Sequence, residues 1–467
     1  MSAPASRWRS SAAPVGWRSP SITATPPSRW AWTWAIPCMS VANELPCRTM
    51  AQDADVLVIG GGVGGLCSAH FLAERGRHVT VVERRRVGAG ASEGNAGIIC
   101  PSESIPLSAP GVITKALKWM FDGSSPFYIK PRLDPALIGW LWRFARSCNR
   151  SHVSRSVPLL CALHTRSREL YEQFAARPGF DFGYHHKGLL KLAVTTQGLK
   201  ECVNQVTIHR EAGMDAVALD AVQVGDRLGG LTSPAIGGSF LADDAHITPL
   251  AFVDNLAADL QQRGMAIHGE TEVLGFERSA GRISSVRTTQ GTFNVEAVVL
   301  AAGSWSPPFA RELGLSLPIQ PAKGYSVMVP RPKDHPEQPI QLQEAKVIAT
   351  PMGDRLRIAG TLELAGMNEA INHRRVQAIL NATARFLPSL DIGRLPILQV
   401  WRGLRPCTPD GLPFLGHLPN LDNAIVAAGH AMIGMSLGPV TGELVGQLLD
   451  GQAPQTDIHL LRPNRFA

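Results

Sequence analysis

Two stretches of the chain carry residues whose type and spacing could do chemistry. In GLRPCTPDGLPFLG, Gly403 to Gly416, one permanently protonated side chain, Arg405, sits in a loop-like run of glycine and proline. A guanidinium in apolar surroundings is costly unless an anion meets it, and its planar fork can grip both oxygens of a carboxylate. The anion could be a ligand, or it could be Asp410 or another acid of the chain. In GGGVGG, Gly60, Gly62 and Gly65 satisfy G-x-G-x-x-G. That spacing gives a tight turn, close backbone approach for a pyrophosphate, and close packing of helix on strand. Glu83, 23 residues past Gly60, can accept ribose hydroxyls, and its charge disfavours a 2′-phosphate.

The elements around these residues must place them. VLVIG (Val56–Gly60) reads as a buried parallel strand, the stretch after it as a helix stopped by Gly76, and VTVVE (Val79–Glu83) as a second strand. Together they form a dinucleotide-binding unit whose helix N-terminus faces the phosphates. Nicotinamide and flavin dinucleotides share this unit. A second small-residue loop, Gly88–Gly97, offers more backbone donors through Ser92 and Asn95 and suits a ligand that stays bound and runs deep. Farther on, a helix ending at Gly264 precedes four strand candidates, MAIHG, EVLGFE, ISSVRT and NVEAVVLAAG. Val273 stands where a backbone could pair with an adenine edge. AVVLAAG closes on small residues that let a cofactor come near, or it is an ordinary turn in a sheet.

Bulk properties bound the reading. With 467 residues the chain exceeds one ordinary core, so two domains are expected. Apolar residues at 45% and charged ones at 18% give a globular balance. Eight Cys without a CxxC pair read as reduced thiols, not as a disulfide framework. Net charge is +7, and the first fifty residues, with five Arg against one Glu, supply +4 of it. No basic stripe remains to suggest nucleic acid, and no apolar run spans a bilayer. Residues 1–50 hold five of the ten Trp without helical or strand period, and read as a disordered extension ahead of a natural start at Met50, or as a secretory signal.

With GLRPCTPDG and AAGHAMIGMSLGPVTGELVGQLL, these motifs resemble the D-amino-acid oxidase-like family of FAD-dependent oxidoreductases, and most the bacterial D-amino-acid dehydrogenases. The resemblance runs from about Asp53 to Ile458. It implies an α/β fold: a Rossmann-like FAD-binding domain of discontinuous segments, 53–110, 225–310 and 395–463, and a substrate domain on a mixed β-sheet, 111–224 and 311–394. It implies FAD held by Gly60, Gly62, Gly65, Glu83, Ser92, Asn95, Ala96, Gly97 and Val273, and by Ala302, Gly303, Gly403, Gly429, Ile433 and Gly434. The turn Gly429–Gly434 would lie under the flavin ring, followed by a helix over 438–450. Arg405 would bind the substrate carboxylate, with Tyr325 and His430 beside it. The implied reaction is oxidative deamination of a small D-amino acid to a 2-oxo acid and ammonia, hydride passing from Cα to flavin N5. A glycine- or sarcosine-type or hydroxyproline amine oxidase would share these motifs, and a nucleotide-binding regulatory module could retain the fold.

One departure from the family concerns tyrosine. Its oxidases place tyrosine hydroxyls around the carboxylate, and this chain has four Tyr, of which Tyr325, with Lys323 nearby, fits best. Both could equally be strand residues. Tyr184, His185 and His186 could line the pocket or decorate a turn. Adjacent His on a strand point to opposite faces, so no metal is expected. Bulky apolar residues interleaved with Arg143 and Arg146 over 112–148 fit either a helix packed on the substrate domain or an interfacial one. The latter would deliver electrons to a respiratory quinone or other acceptor, with the protein in the cytoplasm and in peripheral contact with the inner membrane face.

Overall fold

Alternating apolar residues and glycine-marked turns fold the chain into two large sheets. A computed structural model describes residues 52–114 and 127–467. The expected extension over 1–50 and the Trp-Met-Phe run at 119–121 lie outside them.

The first sheet has eight strands. Gln52–Ile59 lies parallel to Gly291–Leu300 on one side and to Val79–Val82 on the other, and Ala266–His268 extends the sheet beyond Val79–Val82. Val273–Ser279 and Arg282–Thr288 add an antiparallel flap, and Ala424–Ala428 joins the parallel part from the far end of the chain. The four sequence-read strands after Gly264 all appear. The central strands are buried on both faces, as parallel strands covered by helices must be.

The second sheet has nine strands, ordered Gln399–Cys407, Gln320–Pro330, Arg355–Leu364, Val347–Met352, Ile340–Leu342, Leu189–Ala193, Gly237–Leu241, Ala216–Asp220, with Phe127–Ile129 beside Arg355–Leu364. Two of these strands correct the sequence boundaries. Gly237–Leu241 and Gln399–Cys407 fall in segments assigned to the cofactor domain, yet both pair in the second sheet. The Gly/Pro stretch is also not a loop at its start, because Gly403 to Cys407 continue a strand. Pro406 is tolerated since the strand is the sheet's edge and lies Pro-to-Pro against Pro321.

Helix Val63–Glu74 ends at Arg75, with Gly76 at φ +79° beyond it. The last helix, Gly434–Leu449, crosses over it on a stripe of glycines. A Cβ on Gly442 would lie 2.4 Å from the Cys67 carbonyl, and one on Gly438 2.6 Å from the Val63 side chain. The sequence placed the start of this helix at 438; it begins four residues earlier. Pro439 has no N–H to give the Met435 carbonyl, and the buried Tyr171 hydroxyl donates to that oxygen at 2.6 Å instead. The helix therefore extends back to Gly434.

Helix Pro135–Ser147 is capped by Asp134, which accepts from the N–H groups of Ala136 and Leu137. Leu137 and Trp140 are buried, and Trp140 Nε1 donates to the Cys407 carbonyl at 3.0 Å, while Ile138 and Trp142 are exposed. Among the described residues no helix is long and apolar enough to cross a membrane. The six described cysteines are free thiols.

Tyr171→Phe should strip the Met435 carbonyl of its partner and destabilise the fold by about 1–3 kcal/mol, the cost of an unsatisfied buried acceptor. A lowered urea midpoint with an unchanged m-value would register it.

Candidate cofactor and substrate site

Between the sheets lies a cavity of ≈ 690 Å³. Its cofactor-side wall is built by the glycine motif. Gly60, at φ +115°, passes so close to the strand end at Ala301 that a Cβ there would lie 2.6 Å from the Ala301 carbonyl oxygen. Gly65 packs behind it, with room for no Cβ against the Gly60 carbonyl. Gly62 starts the first helix without a side-chain cap, and Ser92 Oγ accepts from the Val63 N–H at 3.0 Å. The Glu83 carboxylate turns back over the glycines, accepting from Gly61 N–H at 2.8 Å and Arg85 N–H at 3.0 Å.

Asn95, Ala96, Val273, Ala302 and Gly303 line the same cavity, whereas Gly97 and Gly429 stand behind its wall at positive φ. At the other end, Ile433 and Gly434 open the last helix onto the cavity, also without a side-chain cap. Two helix N-termini, neither capped by its own N-cap side chain, thus face one space. Each offers free N–H groups and partial positive charge. One suits a pyrophosphate; the other suits a ring system that gathers negative charge on reduction. With the Glu83 carboxylate beside the glycine turn, these residues fit FAD.

The second sheet supplies the floor. Arg405 lies on the cavity side of its strand, with Gly403 and Trp401 at alternate positions on the same face. Its guanidinium lies flat over Gly324 of the neighbouring strand; a Cβ there would come within 2.2 Å of it. Nη1 donates to the Thr361 carbonyl at 2.6 Å. Among the described residues no carboxylate lies within ion-pair distance of Arg405, and burial lowers its pKa from the usual arginine range. Asp410, the alternative partner in the sequence, is occupied by Arg465 at 2.7 Å.

Six sequence candidates are placed elsewhere or differently. Tyr325 does not face the cavity. It points to the opposite side of the sheet, fully buried, its hydroxyl donating to Glu363 Oε2 at 2.7 Å. Lys323 shares that face and donates to Asn368 and the Ala370 carbonyl. The reason is strand parity: Ala322 and Gly324 look inward, so Lys323 and Tyr325 cannot. His430 does line the cavity, but its Nε2 lies 2.9 Å from Thr441 Oγ1. Burial lowers its pKa to about 4, so at neutral pH it is an uncharged anchor of the last helix. Tyr184 and His186 turn to Glu172, away from the cavity, and His185 pairs with His246 through the backbone.

Sequence reasoning missed Gly324 and Trp401. The Trp401 indole fills the space where a Cβ on either Gly94 or Gly403 would sit, 2.0 Å from its ring atoms. Reading Gln399–Cys407 as a strand would have found it, two residues from Gly403 and four from Arg405.

His164, whose pKa burial likewise lowers to about 4, shares Ser436 Oγ of the last helix at 2.8 Å. Unfolded histidine titrates near 6.5. Between pH 6.5 and 4 the unfolded chain therefore binds more protons, and stability falls as pH falls. Acidification through this window should lower Tm and release bound FAD, read as a rise in free-flavin fluorescence; His430→Gln, which keeps a polar partner for Thr441 without titrating, should flatten the dependence.

Comparison with known proteins agrees with this geometry. The family described as "DAO: FAD dependent oxidoreductase" matches residues 55–448. A D-amino acid dehydrogenase of Methylobacterium nodulans is 34% identical over 409 residues, covering 86% of this chain and 96% of that protein. One of Methylobacterium radiotolerans is 32% identical over 88% of this chain and 99% of its own length. The crystal structure of glycine oxidase from Geobacillus kaustophilus superposes with a TM-score of 0.73 at 27% identity, over 89% of this chain and 99% of that one. A cavity walled by the glycine motif and by the start of the last helix, with a family match over most of the sequence, leads to one assignment: the chain belongs to the DAO family of FAD-dependent oxidoreductases.

Proposed function

We propose that the protein is an FAD-dependent D-amino-acid dehydrogenase that converts its substrate to the 2-oxo acid and ammonia. The observation that carries this reading is Arg405: a buried guanidinium, facing the cavity, held by one backbone carbonyl and by no acid among the described residues. A cation so placed is satisfied by a ligand carboxylate, gripped through two parallel N–H···O bonds. Bound FAD supplies the two-electron acceptor. The chain's own part is placement: Arg405 anchors the carboxylate, so that the Cα–H and the amine are held in one orientation. The amino acid loses two electrons and two protons, and the imino acid takes up water to release ammonia.

His430 is neutral and engaged with Thr441, so it is assigned no proton transfer. The curated relatives named D-amino acid dehydrogenase favour the D-series and an acceptor other than oxygen. The glycine oxidase likeness supports a glycine-type amine oxidase as second reading, since the same anchor serves any α-amino acid.

The reading extends to the electron acceptor. Helix Pro135–Ser147 backs onto the arginine strand through Trp140 and leaves Ile138 and Trp142 exposed, with Arg146 4.9 Å over the Trp142 ring. Apolar side chains beside arginine suit the surface of an anionic membrane, where a quinone would collect the electrons.

Arg405→Leu should lower kcat/KM for D-amino acids at least about 100-fold, the loss expected for truncating one partner of a buried charge pair. Flavin content should be unchanged; protein that loses its flavin would assign Arg405 to the cofactor instead. Trp142→Glu should abolish co-flotation with anionic liposomes while leaving anaerobic flavin reduction intact.

A further inference from the structure

The cavity continues past Arg405 into a polar arm that the proposed reaction does not use. Its floor is one register row of the second sheet. Trp401 lies opposite Ser326, Ser326 opposite Ala359, Ala359 opposite Ile348, Ile348 opposite Gln341, and Gln341 opposite Lys191. Directly paired residues point to the same face, so Gln341 and Lys191 stand on the cavity side with Arg405. Helix Thr196–Glu211 forms the roof, presenting Glu201, Gln205 and His209 at four-residue spacing.

Lys191 is the unusual member. Its side chain is 2% exposed, and its Nζ is held loosely, 3.5 Å from Glu103 Oε1 and 3.2 Å from Gln205 Oε1. A buried ammonium needs closer anionic contacts than these. Glu103 is the exposed member of the pair and lines the same cavity, so its carboxylate can turn aside within that space, whereas Lys191 cannot leave. The arrangement holds a fixed cation behind a displaceable anion.

Building on the reading that Arg405 binds the α-carboxylate, we propose that Lys191 is a specificity-determining residue for a second, distal carboxylate, making the preferred substrate an acidic amino acid with a long side chain. The sheet measures the length. The Arg405 head rests at Thr361, three strands from Lys191 and two residues along from the Ala359 row. Strand spacing near 4.8 Å and a rise near 3.3 Å per residue put the backbone under the Arg405 head roughly 16 Å from that at Lys191. Subtracting an ion pair of about 4 Å at each end leaves roughly 7–8 Å between carboxyl carbons, the reach of about five or six bonds of a zigzag carbon chain. A 2-amino diacid of about six or seven carbons spans it, with 2-aminoadipate the shorter.

The test is anaerobic flavin reduction in the holoenzyme by D-2-aminoadipate, D-norleucine and D-lysine, which share length and differ in the distal group. The expected ratio of kcat/KM for aminoadipate over norleucine is at least about tenfold, the size of one charge-assisted hydrogen bond. Lys191→Met should bring that ratio near one, and Glu103→Gln, which removes the competing carboxylate, should raise it. Faster reduction by norleucine or lysine, a ratio unmoved by Lys191→Met, or a fall with Glu103→Gln would overturn the proposal. If none of the three reduces the flavin, the deaminase reading fails separately. The subsite is then read from flavin absorbance, where tighter binding of adipate than of hexanoate supports it and equal or weaker binding overturns it.

Discussion

The site depends on how closely the first and last helices approach. Residues nearly four hundred positions apart in the chain meet where Gly438 and Gly442 leave no Cβ between the last helix and the backbone at Cys67. Only at that distance do both helix N-termini reach one cavity, one beside the Gly60–Gly65 turn and one beside Gly429–Gly434. Larger residues at this seam would separate the two patches of positive potential by the width of a side chain. The buried hydroxyls and imidazoles around the last helix, Tyr171, His164 and His430, all serve to hold that seating.

The second sheet works by a different rule. It carries charge into a place where charge is expensive and removes the usual compensations. Arg405 has a carbonyl and a bare glycine beneath it, not an acid. Asp410, the acid nearest to it in sequence, is held by Arg465, buried at both ends of the pair. Lys191 repeats the pattern with a looser partner. Both cations therefore lie at the cavity with less compensation than a buried charge usually has.

The cofactor half was the more legible part of the sequence because its signals are local. A strand, a glycine turn, a helix and a terminal acid follow one another within about thirty residues, and each constrains its neighbours. The floor of the second sheet was not legible, since its residues come together only through pairing between distant strands. Tyr325 illustrates the limit: one step of strand parity decides whether a side chain meets the ligand or the core, and parity cannot be fixed before the register is known. Gly324 gave no signal, because a glycine in a strand has many causes. The last helix begins four residues before the position expected from the sequence, and the hydrogen bond that Pro439 cannot give is replaced by one from Tyr171.

The arginine strand and the turn before the last helix are stitched directly together. Cys407 bridges His430, and the Ala431 N–H donates to the Pro406 carbonyl at 3.0 Å. The strand that carries Arg405 is therefore fixed against the start of the last helix by main-chain hydrogen bonds. Side chains around the rest of the chamber are free to vary, changing which molecule is admitted without shifting where its reactive carbon comes to rest. A scaffold with this division can acquire new substrates by exchanging its walls alone.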